Sequence, residues 1–166
     1  FSTIDVPLPN LPLCDPMTGN CTYTAVFGIN SRGQIVGVSY NLGGGPMQSH
    51  GFLYDHGESS TIDVPFPGAS LTVARGINSR GQIVGTYFDS TSGRFLGFLD
   101  DHGDFSTIDA PFPGAVSTIT TGINTRGQIV GTFCDSATCS DQADHRNPFL
   151  AIPSDRRGGH HHRHGS

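Results

Sequence analysis

Charge is scarce in this chain. Only 14% of its residues are Asp, Glu, Lys or Arg, against about 25% in an ordinary globular domain. No Lys/Arg cluster occurs before residue 156 and the formal net charge is −5, which excludes the concentrated basic stripe of a nucleic-acid-binding surface. Long hydrophobic runs are missing as well. Nothing approaches the roughly 18 consecutive apolar residues of a membrane-spanning helix, so no membrane span is expected. Helical periodicity is nearly absent. What the chain does have is 23 Gly, 11 Pro and short runs of Ile, Val, Thr and Phe, the composition of a turn-dense all-β protein. At 166 residues it falls in the single-domain range and is long enough to bury a real core.

The stretch "GINSRGQIVG" at 28–37 returns unchanged at 76–85 and again as "GINTRGQIVG" at 122–131. A catalytic constellation is normally unique in a chain, so a decamer written three times speaks first of architecture. Asp5, Asp63 and Asp109 mark a second recurring element, Ser-Thr-Ile-Asp. Between Asp5 and Ile29 the first copy carries a ten-residue insertion with Cys14 and Cys21; a shorter one between Gly131 and Phe149 carries Cys134 and Cys139. Insertions in repeats map to loops.

Turn chemistry divides each unit into strands. "TVARGIN", "SRG" and "QIVGTYF" predict a hairpin closed by a type I turn, with Gly81 and its equivalents Gly33 and Gly127 in the left-handed region. "GFLD", a turn at Gly103 and "FSTID" predict a second hairpin that ends at proline. Each unit is therefore expected to have four strands. Adjacent Ile83 and Val84 point to opposite faces of the second strand, so it should be buried on both sides. In "TIDVP", Ile62 and Val64 share one face and Thr61 and Asp63 the other, the pattern of a half-exposed last strand. Three such units resemble propeller blades; a β-trefoil and a β-prism also use three four-stranded units. The chain opens on "FSTIDVP", a fourth strand, and its last repeat-like element, "NPFLAIP" at 147–153, is a third strand. The expectation is strand exchange, in which the N-terminal strand completes the last unit. One β-repeat domain is expected over residues 1–153, with units near 8–65, 66–111 and 112–153 and a strand at 1–7. A His-rich tail, disordered or tag-like, follows at 154–166.

At "FSTIDVPFPGA"-like, "GINSRGQIVGTY"-like and "HGFLYDHG"-like segments the chain resembles the bacterial extracellular repeat proteins of the HAF family, over nearly all of residues 1–153. The resemblance implies secretion and a propeller-like β-repeat fold, and implies no established activity. The chain departs from the family pattern in its small number of repeats, its two Cys-bearing insertions, and "NPFLAIP", which loses the "HGFL" form.

The cysteine spacings point the same way. Cys14 with Cys21 and Cys134 with Cys139 are close pairs in polar segments, suited to loop-pinning disulfides in an oxidising compartment. Neither pair has zinc-knuckle spacing. The expected localisation is extracellular, and a removed signal peptide would account for Phe1.

Candidate sites each have a plainer structural account. Arg32, Arg80 and Arg126 occupy one turn three times, a ring of guanidinium groups able to take acidic glycans, though turns favour polar residues anyway. Tyr40, Tyr87 and Phe133 follow the second strand at equivalent places and offer rings to sugars or to the core. Asn30, Asn78 and Asn124 suit Asx-type turn bonding. Asp100, Asp101 and Asp104 form the densest carboxylate group, a weak metal candidate such as calcium, without an Asp-x-Asp-x-Asp loop; no other cofactor is implied. "GVSYN" around Ser39 fails the nucleophile-elbow pattern. Three function classes follow: a secreted structural protein that self-assembles by strand exchange into a ring or fibre; a carbohydrate-binding module; and an extracellular hydrolase or lyase on a propeller-like scaffold.

Overall fold

The computed structural model describes residues 22–41, 47–135 and 146–152. Strands β1 (Thr22–Ile29), β2 (Ile35–Asn41), β3 (Gln48–Asp55) and β4 (Glu58–Ile62) form one antiparallel sheet in sequence order. β5 (Ala69–Ile77), β6 (Ile83–Asp89), β7 (Arg94–Asp101) and β8 (Asp104–Ile108) form a second of the same order. β9 (Ser117–Ile123), β10 (Ile129–Cys134) and β11 (Arg146–Ala151) form a third, in which β11 is an edge. The described residues contain no helix, hence none long and apolar enough to cross a membrane. The fold of the described residues is all-β, with two four-stranded sheets and one three-stranded sheet that do not close into a barrel. The expected strand at 1–7 lies outside the described residues.

Turn residues act as their chemistry requires. Gly33, Gly81 and Gly127 have φ of 79°, 88° and 78°, and each donates its N–H to the carbonyl of the Asn three residues earlier. The β3–β4 and β7–β8 hairpins turn through His56-Gly57 and His102-Gly103, where both residues of each pair have positive φ. That is the type I′ geometry whose twist matches the flanking strands.

Consecutive sheets pack on one another through the first strand of the later unit: β5 lies against β1, β2 and β3, and β9 against β5, β6 and β7. Register decides which side chains face forward, toward the following unit. Gly28, Val36 and Leu53 stand opposite one another on the forward face of the first sheet, as do Gly76, Val84 and Leu99 on the second and Gly122, Val130 and Leu150 on the third. Val36 and Val84 are 0% exposed, whereas Val130, with no sheet in front of it among the described residues, is 46% exposed. Burying a valine of this kind stabilises by about 1.5–3 kcal/mol, so the same letter contributes in two units and not in the third. Ile83 at 3% confirms that β6 is buried on both faces, and Ile62 and Val64, both at 6%, are buried as the "TIDVP" alternation predicts.

One packing device recurs in all three units. Phe52 stands opposite Gly37, Phe98 opposite Gly85 and Phe149 opposite Gly131. A Cβ built on any of the three glycines would meet the facing ring at 2.7 Å, and the main-chain oxygen of Ala25, Val73 or Ile119 at 2.1, 2.0 or 2.2 Å. The last glycine of the decamer is thus the floor on which an aromatic ring of the next strand rests.

Candidate functional site

The decamer turns form one polar row. In each, the Asn Oδ1 accepts the main-chain N–H of the Arg two residues on, at 2.9 Å for Arg32, Arg80 and Arg126. It also accepts the N–H of the Gln four residues on, at 3.1, 3.1 and 3.0 Å. The Asn Nδ2 donates to that Gln's Oε1 at 2.7, 2.8 and 2.7 Å. This is the Asx-type role expected of Asn30, Asn78 and Asn124. The second Nδ2 proton does something the sequence did not suggest, because it crosses between units: Asn30 donates to the carbonyl of Asn78 and Asn78 to that of Asn124, each at 3.0 Å. The three turns are tied side by side.

Gln34 and Gln82 pass the network on, donating through Nε2 to Asp55 at 2.9 Å and to Asp101 at 3.0 Å. His56 Nδ1 bonds Asp55, and His102 Nδ1 bonds Asp101 at 2.8 Å. The Gln34 amide, then His56, hold the Asp55 carboxyl below the usual carboxylate range; the Gln82 amide, then His102, do the same for Asp101. In the third unit Ile152 stands in the aspartate's register position.

Arg32, Arg80 and Arg126 are all exposed on this row, and Arg80 Nη2 donates to Gln82 Oε1 at 2.8 Å. The aromatic candidates divide. Tyr87 is 3% exposed, its ring packs on Phe66 at 5.9 Å and its hydroxyl bonds Thr107 Oγ1 at 3.0 Å. No face of Tyr87 is left for a sugar, a correction to its place among the ligand candidates, because the Phe66 ring and Thr107 of β8 pack over it. Phe133 is buried at 9% and stacks on Phe112 at 4.4 Å. Tyr40 is half-buried and sits 6.2 Å from Tyr23, which is 59% exposed. Tyr23 was not singled out from sequence because it lies outside the repeated segments.

Asp100 and Asp101 are strand neighbours and so point to opposite faces. Asp100 Oδ1 accepts the Gly103 N–H at 2.6 Å, and burial pushes its carboxyl above the usual range. Asp101 stands opposite Asp104. At most two of the three carboxylates share a face, and no group of three His, Cys, Asp or Glu side chains converges among the described residues. Asp63 and Asp109, just past β4 and β8, meet different partners. Asp63 pairs with His50 Nδ1 at 2.9 Å; Asp109 takes Arg94 in two bonds of 3.1 Å while Arg94 also donates to the carbonyls of Ala115 and Val116. Asp5 lies outside the described residues.

His50 and Asp63 line an open cleft of about 520 Å³ between the first two units, with Met47, Gln48, Leu71 and Phe88. Ser39 is directly opposite His50 in the β2–β3 register, and no hydrogen bond joins them among the described residues. His50 was legible only in retrospect: it occupies the register position of Leu96. Cys134 ends β10, is 2% exposed and is not a free thiol; Cys14, Cys21 and Cys139 lie outside the described residues. No protein-family model matches the chain, and no curated protein sequence matches it.

Proposed function

We propose that this chain is a secreted, non-enzymatic structural protein of the HAF type, whose units are propeller-like blades and whose work is self-association. The observation that carries the reading is the edge strand β11: among the described residues the third sheet has three strands in the order β11-β10-β9 where the first two have four. An edge without a pairing strand among the described residues favours another strand, and the "FSTIDVP" segment is of the type that fills this place in the other units. The repeated letters support the same reading, since the Asn of the first two decamers bonds across to the next unit and their first Gly and Val lie at the contact between units. Cys14–Cys21 and Cys134–Cys139 pairing belongs to the proposal, and non-reducing peptide mapping checks it. The test of strand exchange between chains is deletion of residues 1–7, followed by light scattering. Loss of the assembled state supports the reading, and an unchanged assembly refutes it.

A second reading rests on the arginines. Three exposed guanidinium groups, on turns tied into one row by the Asn30–Asn78–Asn124 bonds, suit a sulfated or carboxylated glycan. A glycan array at low and high salt tests it: salt-sensitive retention of acidic glycans, lost in an Arg32→Ala, Arg80→Ala, Arg126→Ala variant, is the expected result.

A further inference from the structure

The interface between units is written twice inside the chain, and among the described residues one half of it lies uncovered on the first sheet and the other on the third. Each time, the first strand of a unit docks on the forward face of the preceding sheet. The contact has three parts. The first is a glycine stack: a Cβ on Gly28 would lie 3.3 Å from the Gly76 Cα, and one on Gly76 would lie 3.1 Å from the Gly122 Cα. The second is apolar cover, which takes Val36 and Val84 to 0% exposure and the docking residues Ala74 and Ile77 to 0% and 7%. The third is the asparagine bond that runs from each unit to the next.

At the forward end of the chain every receiving part is present and uncovered. Among the described residues, nothing beyond Val130 Cγ2 faces a Cβ built on Gly122 within 4 Å. Val130, Leu150 and Ile152 are 46%, 56% and 67% exposed, and a groove runs between Gly122, Ile123, Asn124, Gln128, Val130 and Leu150. Asn124 Nδ2 donates only to Gln128 among the described residues, so one amide proton is without the acceptor its equivalents have. At the other end every inserting part is present and uncovered. β1 carries Val26 and Ile29 at 53% and 67%, in the register positions of Ala74 and Ile77. Among the described residues the carbonyl of Asn30 accepts only the Gly33 N–H, where that of Asn78 accepts Gly81 and Asn30.

We infer that the occupant of the third sheet's forward face is β1 of a second copy of this chain, docked as β5 docks on the first sheet and β9 on the second. Val26 and Ile29 of one copy then cover Val130 and Leu150 of the other, Gly28 stacks on Gly122, and Asn124 donates to the partner copy's Asn30 carbonyl. The contact is heterologous, so it closes as a ring or propagates as a fibre. The inference rests on the self-association reading but places the contact on sheet faces rather than on the β11 edge.

The test uses the full chain and two variants, Ile29→Arg and Leu150→Arg, at positions exposed enough in the single chain that circular dichroism should show an unchanged fold. Light scattering across a dilution series should find the unaltered protein as a dimer or larger, and each variant alone as a monomer. An equimolar mixture of the two should recover a dimer and nothing larger, because one intact β1 and one intact forward face remain between them. Hydrogen exchange read by mass spectrometry adds a measure free of mutation: the amides of 129–131 should gain protection with concentration. Variants that keep the parent assembly, while deletion of 1–7 abolishes it, overturn the face-docking inference and leave strand exchange standing. A parent that stays monomeric at tens of micromolar overturns both.

Discussion

Gly85→Ala adds one methyl group at the most crowded point of the molecule. The new Cβ would lie 2.0 Å from the Val73 carbonyl oxygen and 2.7 Å from Phe98 Cε1, and Phe98 is 0% exposed in the main core cluster with Ile83, Tyr87 and Leu96. Neither obstacle can yield freely. The oxygen belongs to β5, which is clamped between the first and third sheets, and the ring has core on its other side. Overpacking costs about 1–3 kcal/mol and occasionally more; a contact with main chain belongs at the upper end. Replacing glycine inside a strand returns roughly 0.5–1 kcal/mol through the unfolded chain. The net loss should therefore be about 2–3 kcal/mol, which for a chain of this size is a fall in Tm of about 4–12 °C. Urea and thermal unfolding followed by circular dichroism measure it. Phe98→Leu in the same chain removes the ring atoms but not the carbonyl, so the double variant should be less destabilised than the sum of the singles by about 1 kcal/mol. A Gly85→Ala protein as stable as the parent would refute the claim that ring and glycine are packed to contact.

Asn78→Ala removes four side-chain bonds at a 3% exposed position and should cost about 2–4 kcal/mol; a urea midpoint within error of the parent would remove the asparagine row from the account of stability. Arg94→Ala should cost about 1–2 kcal/mol by freeing Asp109 and two carbonyls, and Arg94→Lys should not restore it, since lysine lacks the planar fork; double-mutant cycles with Asp109→Ala check the pairing. Asp101 is held below its ordinary value of about 3.9, so its contribution is intact above that pH and is lost as pH falls through the lower folded value. Asp101→Asn should flatten the acid limb of the stability profile, measured by urea midpoints from pH 5 to pH 2. Asp100 is raised by burial, so its charge opposes folding above the folded value and stops mattering below the ordinary one. Asp100→Asn, which keeps an oxygen for the Gly103 N–H, should raise the midpoint at pH 7 and leave it unchanged at pH 3.

Strand order, hairpin turns and the doubly buried second strand were legible in the sequence because they depend on local rules. Glycine reaches positive φ at Gly33, Gly81 and Gly127, Asn bonds its own turn, and alternation sorts Ile62 and Val64 from Thr61 and Asp63. Decamers that differ at one letter, Thr125 for Ser, gave no hint that they would differ in burial. Val36, Val84 and Val130 carry the same neighbours in sequence, and only the order of stacking decides that the first two have a sheet in front of them and the third, among the described residues, does not. The same holds for Asn78, whose second amide proton finds an acceptor 46 residues away, and for Tyr87, which tertiary packing moved from the ligand candidates into the core. His50 and Asp63, or Arg94 and Asp109, come together because strand register brings residues 13 or 15 apart into reach. Local periodicity determines what each strand is; which of its faces and polar groups remain unsatisfied is a property of its neighbours, and only the tertiary structure supplies them.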